Sequence, residues 1–309
     1  MNTQTDTPST HRARLRTLLG IAEGPAGGSR LEGMPETARP GVPTEVTVRP
    51  VHGAPIPALL LRPDSATNTG AAVVLVAGHG RGIDDLVATH PADGYHDALA
   101  HKLVRAGMTV LCPEMISFGR RRVPRRPGEA PYEEAENSCG IDAARYLLHG
   151  RPVMGARVAD AQAAAQALAR VPGVDPQRIA VVGGSGGGAV ALMLAALDTT
   201  IAAALVANYF SSFAASIAAI RHCPCNIVPG LLPDLEMVDI ASLIAPRALV
   251  LEAGERDPIF PIAATREAHR ALGPVWEAWH APAPELVVTE GGHAFRAERS
   301  LELLAARLA

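Results

Sequence analysis

Ser185, Asp257 and His293 have the residue types and the chain order needed for nucleophilic attack on a carbonyl. Ser185 is the centre of Gly183-Gly184-Ser185-Gly186-Gly187, between an apolar run (Ile179-Ala180-Val181-Val182) and an Ala-rich stretch. A G-x-S-x-G pattern in that context predicts a sharp strand-to-helix turn. Small neighbours let the backbone bend tightly, the turn lifts the hydroxyl clear of the sheet, and the helix start aims N–H groups at an oxyanion forming there. A hydroxyl attacks poorly until a base takes its proton, and an acid must orient that base. Chains built on this turn place the acid next and the histidine last. Asp257 sits in a turn before Pro258, after the apolar run 248–252, with Glu252 and Glu255 as rival carboxylates. His293 follows Gly291-Gly292, a pair that permits a tight turn toward the serine. The competing reading, a phosphate-binding glycine loop, lacks the Lys-Ser/Thr of a P-loop and the spacing of a dinucleotide fingerprint.

A tetrahedral oxyanion needs two donors. Gly186, next after the serine, is expected to supply one N–H, and Gly80 or Arg81 of Gly78-His79-Gly80-Arg81-Gly82 the other. His79 is a rival base but reads better as a support for this loop. Arg81 either faces substrate or pairs with Asp84 or Asp85. His79, Glu114, Tyr209 and His222 are candidate pocket residues.

The elements that must carry these residues alternate along the chain. Helical spacing over 12–21 predicts a short leading helix after a disordered polar tail at 1–10, and Gly/Pro-rich 24–33 reads as a linker. Strands at 44–51 and 55–61 flank His52-Gly53-Ala54 and predict a hairpin. Further strands are expected at 71–76, 108–112, 178–182, 201–207, 248–252 and 285–289. Helices are expected at 92–106, 158–170, 187–197, 261–272 and 297–308. Such alternation predicts an α/β architecture: a mostly parallel sheet, helices on both faces, and an antiparallel leading hairpin. The expected division is a tail, helix and linker at 1–40, then one domain at 41–309.

Composition narrows the function. A net charge of −3 gives no reason to expect nucleic acid as a partner. No apolar run is long enough for a bilayer, and the N-terminus has no apolar signal core, so no membrane partner and a cytoplasmic location are expected. Of the four cysteines, Cys112 lies in an apolar run, while Cys223 and Cys225 flank Pro224 directly after His222. A structural zinc needs four ligands, and no second Cys/His cluster is visible in the sequence. The expectation is therefore a packed loop, no metal or other cofactor, and activity that survives chelation. Residues 116–140 carry Arg120, Arg121, Arg122, Arg125 and Arg126, then Glu129, Glu133, Glu134 and Glu136. They form either a surface loop of mutual ion pairs or a lid that admits an anionic substrate.

Several longer segments share a wider likeness. The segments GHGRG with Asp84-Asp85, VVGGSGGG, HCPCNIVPGLL, LIAPRALVLEAGERDPIFP and EGGHAF resemble the dienelactone-hydrolase and acetyl-xylan-esterase-like branch of the α/β-hydrolase superfamily, from about Thr44 onward. The resemblance implies an α/β-hydrolase fold with a triad at Ser185, Asp257 and His293. One departure bears on substrate: dienelactone hydrolases carry Cys in the elbow, where this chain has Ser185. That favours ordinary carboxylic esters, such as acetyl esters or lactones, as small-molecule substrates. The same site would also serve a thioesterase, a cyclising acyltransferase or a C–C bond hydrolase, and a non-catalytic ligand-binding homologue is the non-enzymatic reading.

Overall fold

In the central strands, successive side chains face two different cores. The structure, a computed structural model, describes residues 7–22, 28–35, 39–88 and 95–309. In β4 (Ala72–Val76), Ala72, Val74 and Val76 enter one core while Val73 and Leu75 enter the other. β6 (Ile179–Gly184) and β7 (Ala203–Ala207) divide in the same way. A strand covered on both faces has no polar side, which explains the unbroken apolar runs in the sequence.

In chain order the other elements are α1 (Pro8–Leu19), β1 (Arg30–Glu32), β2 (Thr44–Arg49), β3 (Ile56–Leu61), α2 (Asp84–Val87), α3 (Leu99–Arg105) and β5 (Thr109–Pro113). Then come α4 (Cys139–Leu148), α5 (Val153–Leu168), α6 (Gly186–Leu197), α7 (Met237–Ser242), β8 (Ala248–Gly254), α8 (Ile262–Glu277), β9 (Glu285–Thr289) and α9 (Arg299–Leu308). The nine described strands form one sheet in the order β1-β2-β3-β5-β4-β6-β7-β8-β9. From β5 to β9 every pairing is parallel, and β1, β2 and β3 make an antiparallel edge. α5 and α6 pack in the first core and α3 and α9 in the second. This is the expected α/β-hydrolase architecture. Among the described residues, no helix is long and apolar enough to cross a membrane.

Three differences from the expected elements have local causes. Thr7 accepts a hydrogen bond from the Thr10 N–H and Pro8 opens the helix, so α1 begins before residue 12. A threonine cap followed by proline is a start signal that apolar periodicity does not register. Leu15 and Leu19 of α1 are buried in the first core. Where a linker was expected, Arg30–Glu32 pairs with β2, so the antiparallel edge has three strands rather than two. The helix expected over 92–106 begins at Leu99, because Asp97 and Ala98 have positive φ of 44° and 51° and break it; its expected first residues, 92–94, lie outside the described residues.

Candidate active site

Ser185 stands between the last residue of β6 and the first of α6, with φ 53° and ψ −122°. A non-glycine residue in this region carries backbone strain, which persists only when the surroundings enforce it. Here they do. The Ser185 N–H donates to Ala207 O at 2.9 Å. A Cβ on Gly187 would lie 2.2 Å from Val76 O, so the start of α6 can press against β4 only as glycine. Gly186 opens α6, and its N–H therefore has no acceptor within the helix.

The loops after β8 and β9 bring the other two residues to the serine. His293 Nε2 lies 2.9 Å from Ser185 Oγ, and His293 Nδ1 lies 2.7 Å from Asp257 Oδ2. Asp257 is buried, and its Oδ1 accepts from the N–H groups of Ile259 at 2.8 Å and Phe260 at 3.1 Å. Those bonds fix the carboxylate so that Oδ2 faces the imidazole. The imidazole lies against Tyr95 and Phe260, with ring centroids 5.2 and 5.8 Å away. Of the rival carboxylates, Glu255 is exposed. Glu252 is buried and holds the chain just beyond the histidine, accepting from Arg296 N at 2.7 Å, Ala297 N at 3.2 Å and the Ser300 hydroxyl.

The loop after β4 passes beside the elbow. A Cβ on Gly78 would lie 3.4 Å from Ser185 Cβ, and one on Gly186 would lie 2.9 Å from His79 Nδ1. Arg81 does not offer the donor expected of it. Its N–H donates to Asp85 Oδ2 at 2.7 Å, its Nε pairs with Asp85 Oδ1 at 2.5 Å, and an Nη pairs with Glu134 at 3.0 Å. The Gly78 N–H is also engaged, by His96 Nε2 at 3.2 Å. Among the described residues, no acceptor engages the N–H groups of His79, Gly80 or Gly82; the His79 ring packs against Gly186, so Gly80 stays a candidate and His79 joins it.

The pocket candidates divide. His222 is half-buried, its ring 6.3 Å from Phe260, at the edge of the triad. Tyr209 is 1% exposed and lies tilted against Phe260 within the core, so it offers no surface to substrate. Glu114 is fully buried and accepts from Ile83 N and Arg120 N, each at 3.2 Å. Burial pushes its carboxyl up to about 7. It ties the loop after β4 to the loop after β5, and substrate cannot reach it.

The arginine-rich loop is pinned partly by its own pairs and partly by pairs to neighbouring elements. Arg120 reaches Glu45, and Arg121 reaches Asp160 at 2.7 Å and the Glu114 carbonyl at 2.8 Å. Arg122 donates to three carbonyls, and Arg125 pairs with Glu136 over the Tyr132 ring. Guanidiniums so engaged are not available to an anionic substrate, so the geometry favours the surface-loop reading.

Tyr95, His96 and Asn208 support the site and were not expected. Asn208, at φ 47°, accepts from Gly254 N at 3.1 Å and donates to Tyr95 Oη at 3.2 Å, bracing the ring against His293. Its place at the end of β7 was the available signal, since sites in open α/β sheets gather at the carboxyl ends of strands. His96 is buried, and burial lowers its pKa to about 4. Unfolded, an ordinary imidazole binds its proton near pH 6.5; folded, it binds only near 4. The unfolded state therefore takes up more protons between those values, and stability falls as pH drops through that window. His96→Gln keeps an acceptor for Gly78 N and removes the titration. The acid limb of a Tm-versus-pH profile should flatten between pH 6.5 and 4; an unchanged profile would show that His96 does not set it.

No second Cys/His cluster is visible along the sequence, but folding forms one. Cys139, at the start of α4, and His79 come to lie beside Cys223 and Cys225.

A strained serine after a central parallel strand, faced by a histidine and a carboxylate from two later strand ends, defines the α/β-hydrolase class. The chain belongs to the dienelactone hydrolase family, whose sequence model matches residues 56–302, and is thus a hydrolase of the α/β type. Among solved structures, it is similar to the glucuronoyl esterase from Solibacter usitatus at 16% identity and TM-score 0.65, over 98% of this chain and 94% of that one. It is also similar to a glucuronoyl esterase from Caldicellulosiruptor kristjansonii (15%, TM-score 0.65, over 97% and 83%). A third likeness is to acetyl xylan esterase 1 from Thermoanaerobacterium sp. JW/SL YS485 (15%, TM-score 0.58, over 98% and 94%). At these identities the likeness is one of fold. No curated protein matches the chain in sequence.

Proposed function

We propose that this protein is a serine esterase that cleaves small carboxylic esters, acetyl-type esters or lactones, through an acyl-enzyme. The observation that carries the reading is the relay from Asp257 through His293 to Ser185, with both contacts at hydrogen-bond length. In the proposed cycle His293 Nε2 takes the Ser185 proton as Oγ attacks the ester carbonyl. The Gly186 N–H, with His79 or Gly80 N–H, holds the oxyanion. The tetrahedral adduct collapses, His293 protonates the leaving alcohol, and the acyl group stays on Oγ. Water, deprotonated by His293, then attacks the acyl carbonyl and returns the free serine and a carboxylic acid. The serine in place of the family's cysteine supports ordinary esters over dienelactone. The esterase names of the structural neighbours agree with that choice.

A fluorophosphonate probe should label the native chain at Ser185, and a panel of acyl esters should be hydrolysed with a preference for short acyl groups. Absence of labelling in a folded chain that hydrolyses none of the panel would overturn the proposal. Acyl transfer to an added alcohol that outruns hydrolysis would replace it with an acyltransferase reading.

A further inference from the structure

Behind the loop after β4, four potential metal ligands from three separate parts of the chain converge. They are His79 of that loop, Cys139 at the first position of α4, and Cys223 and Cys225 of the segment before α7. Their ligand atoms all lie within 4.8 Å of one another. His79 Nε2 is 3.2 Å from Cys225 Sγ, and the sulfurs of Cys223 and Cys225 are 3.1 Å apart, well beyond a disulfide bond of about 2.05 Å. All three cysteines are free thiols. A tetrahedral zinc has bonds of about 2.3 Å to sulfur and 2.0–2.1 Å to nitrogen, which puts its ligand atoms about 3.4–3.8 Å apart. The four atoms therefore need shifts of at most about 1 Å to close on one ion.

Arg157 of α5 is fully buried and aims at this cluster, its Nη2 3.1 Å from Cys139 Sγ. Its Nε donates to Ile116 O at 3.1 Å, its guanidinium lies over the Phe118 ring, and its Nη1 has no hydrogen-bond partner among the described residues. The nearby carboxylate, Asp160, is hydrogen-bonded to Arg121 and not to Arg157. A buried guanidinium with no anion bonded to it is costly. Three neutral thiols supply none. Zinc bound by three thiolates and one neutral imidazole carries a net charge of −1, which Arg157 balances.

We propose that His79, Cys139, Cys223 and Cys225 bind one zinc ion in a closed structural site. Four protein ligands leave no position for water or substrate, so the ion is not a Lewis acid for the reaction. Its effect is on placement. His79 Nε2 faces the sulfurs, while Nδ1 packs against Gly186, next after the elbow serine. The ion would thus fasten the loop bearing the His79 and Gly80 N–H groups to α4 and to the Cys223–Cys225 segment.

The test uses the untagged full-length chain, purified without chelator. Mass-spectrometric metal analysis should find about one zinc per chain. Exchange with Co²⁺ should produce thiolate charge-transfer bands and the intense visible bands of a tetrahedral site. This readout needs no variant and no activity. Cys223→Ser, at a half-exposed position, and Cys139→Ser should each lower zinc retention after dialysis by more than about tenfold. The proposal is overturned by a native chain that neither carries zinc nor takes up Co²⁺ with those bands. It is equally overturned by a Cys223–Cys225 disulfide in the native protein, by iron in zinc's place, or by undiminished zinc in both variants. Any of these would leave the esterase reading untouched, because fluorophosphonate labelling of Ser185 reports on that separately.

Discussion

Ser185→Ala is expected to lower ester hydrolysis by on the order of 10⁴-fold or more while the chain stays folded. The expected loss is large because Oγ is the atom that would become acylated. What survives is binding and the oxyanion donors, which stabilise attack by water alone. The fold should tolerate the change, since alanine removes one half-buried oxygen and leaves the Ser185 N–H on Ala207 O. Because the serine and the histidine act as one unit, Ser185→Ala/His293→Ala should be no slower than either single variant. Steady-state kinetics with an activated acetyl ester, with circular dichroism to verify folding, measures both. More than a tenth of the native rate in a contaminant-free Ser185→Ala preparation would remove Ser185 from the mechanism.

Asp257→Asn should cost on the order of 10⁴-fold in kcat without unfolding the protein. The hydrogen bonds around the carboxylate give the reason. The Ile259 and Phe260 N–H groups both donate to Oδ1, so in the asparagine variant the amide oxygen must take that position. The amide NH₂ then faces His293 Nδ1, which must accept. The proton is driven to Nε2, which turns a donor toward Ser185 and can no longer receive the serine proton. The control is Glu252→Gln. Glu252 gathers Arg296 N, Ala297 N and the Ser300 hydroxyl, so its loss should lower Tm far more than it lowers kcat in the folded fraction. Full activity in Asp257→Asn together with a crippled but stable Glu252→Gln would reverse the assignment of the acid.

The sequence was most legible where local chemistry dictates local structure. Ser185 could be placed on a turn because only glycines fit around it, and the same crowding appears in space as the close approach of Gly187 to Val76 O. The unbroken apolar runs marked the parallel strands because those strands are covered on both faces. The positions of Asp257 and His293 followed from the ends of β8 and β9. The turn before Pro258 favoured Asp257 over Glu252 and Glu255, but three carboxylates within six residues differ mainly in which way the backbone turns each one, and that is visible only in the fold. Arg81 was a reasonable oxyanion donor by position, yet its N–H is taken by Asp85, a preference set by loop geometry. Glu114 and Tyr209 looked like pocket residues because polar groups near strand ends often are, and packing buried both. Cys139 lies 84 residues before Cys223, and His79 lies 60 before Cys139. No spacing rule joins them, because α4, the loop after β4 and the segment before α7 meet only when the sheet and its helices have formed. Sequence determines the chemistry each residue can offer and the element it sits on; which distant residues share a site depends on how those elements pack, and here that decides both which carboxylate faces His293 and which side chains gather around His79.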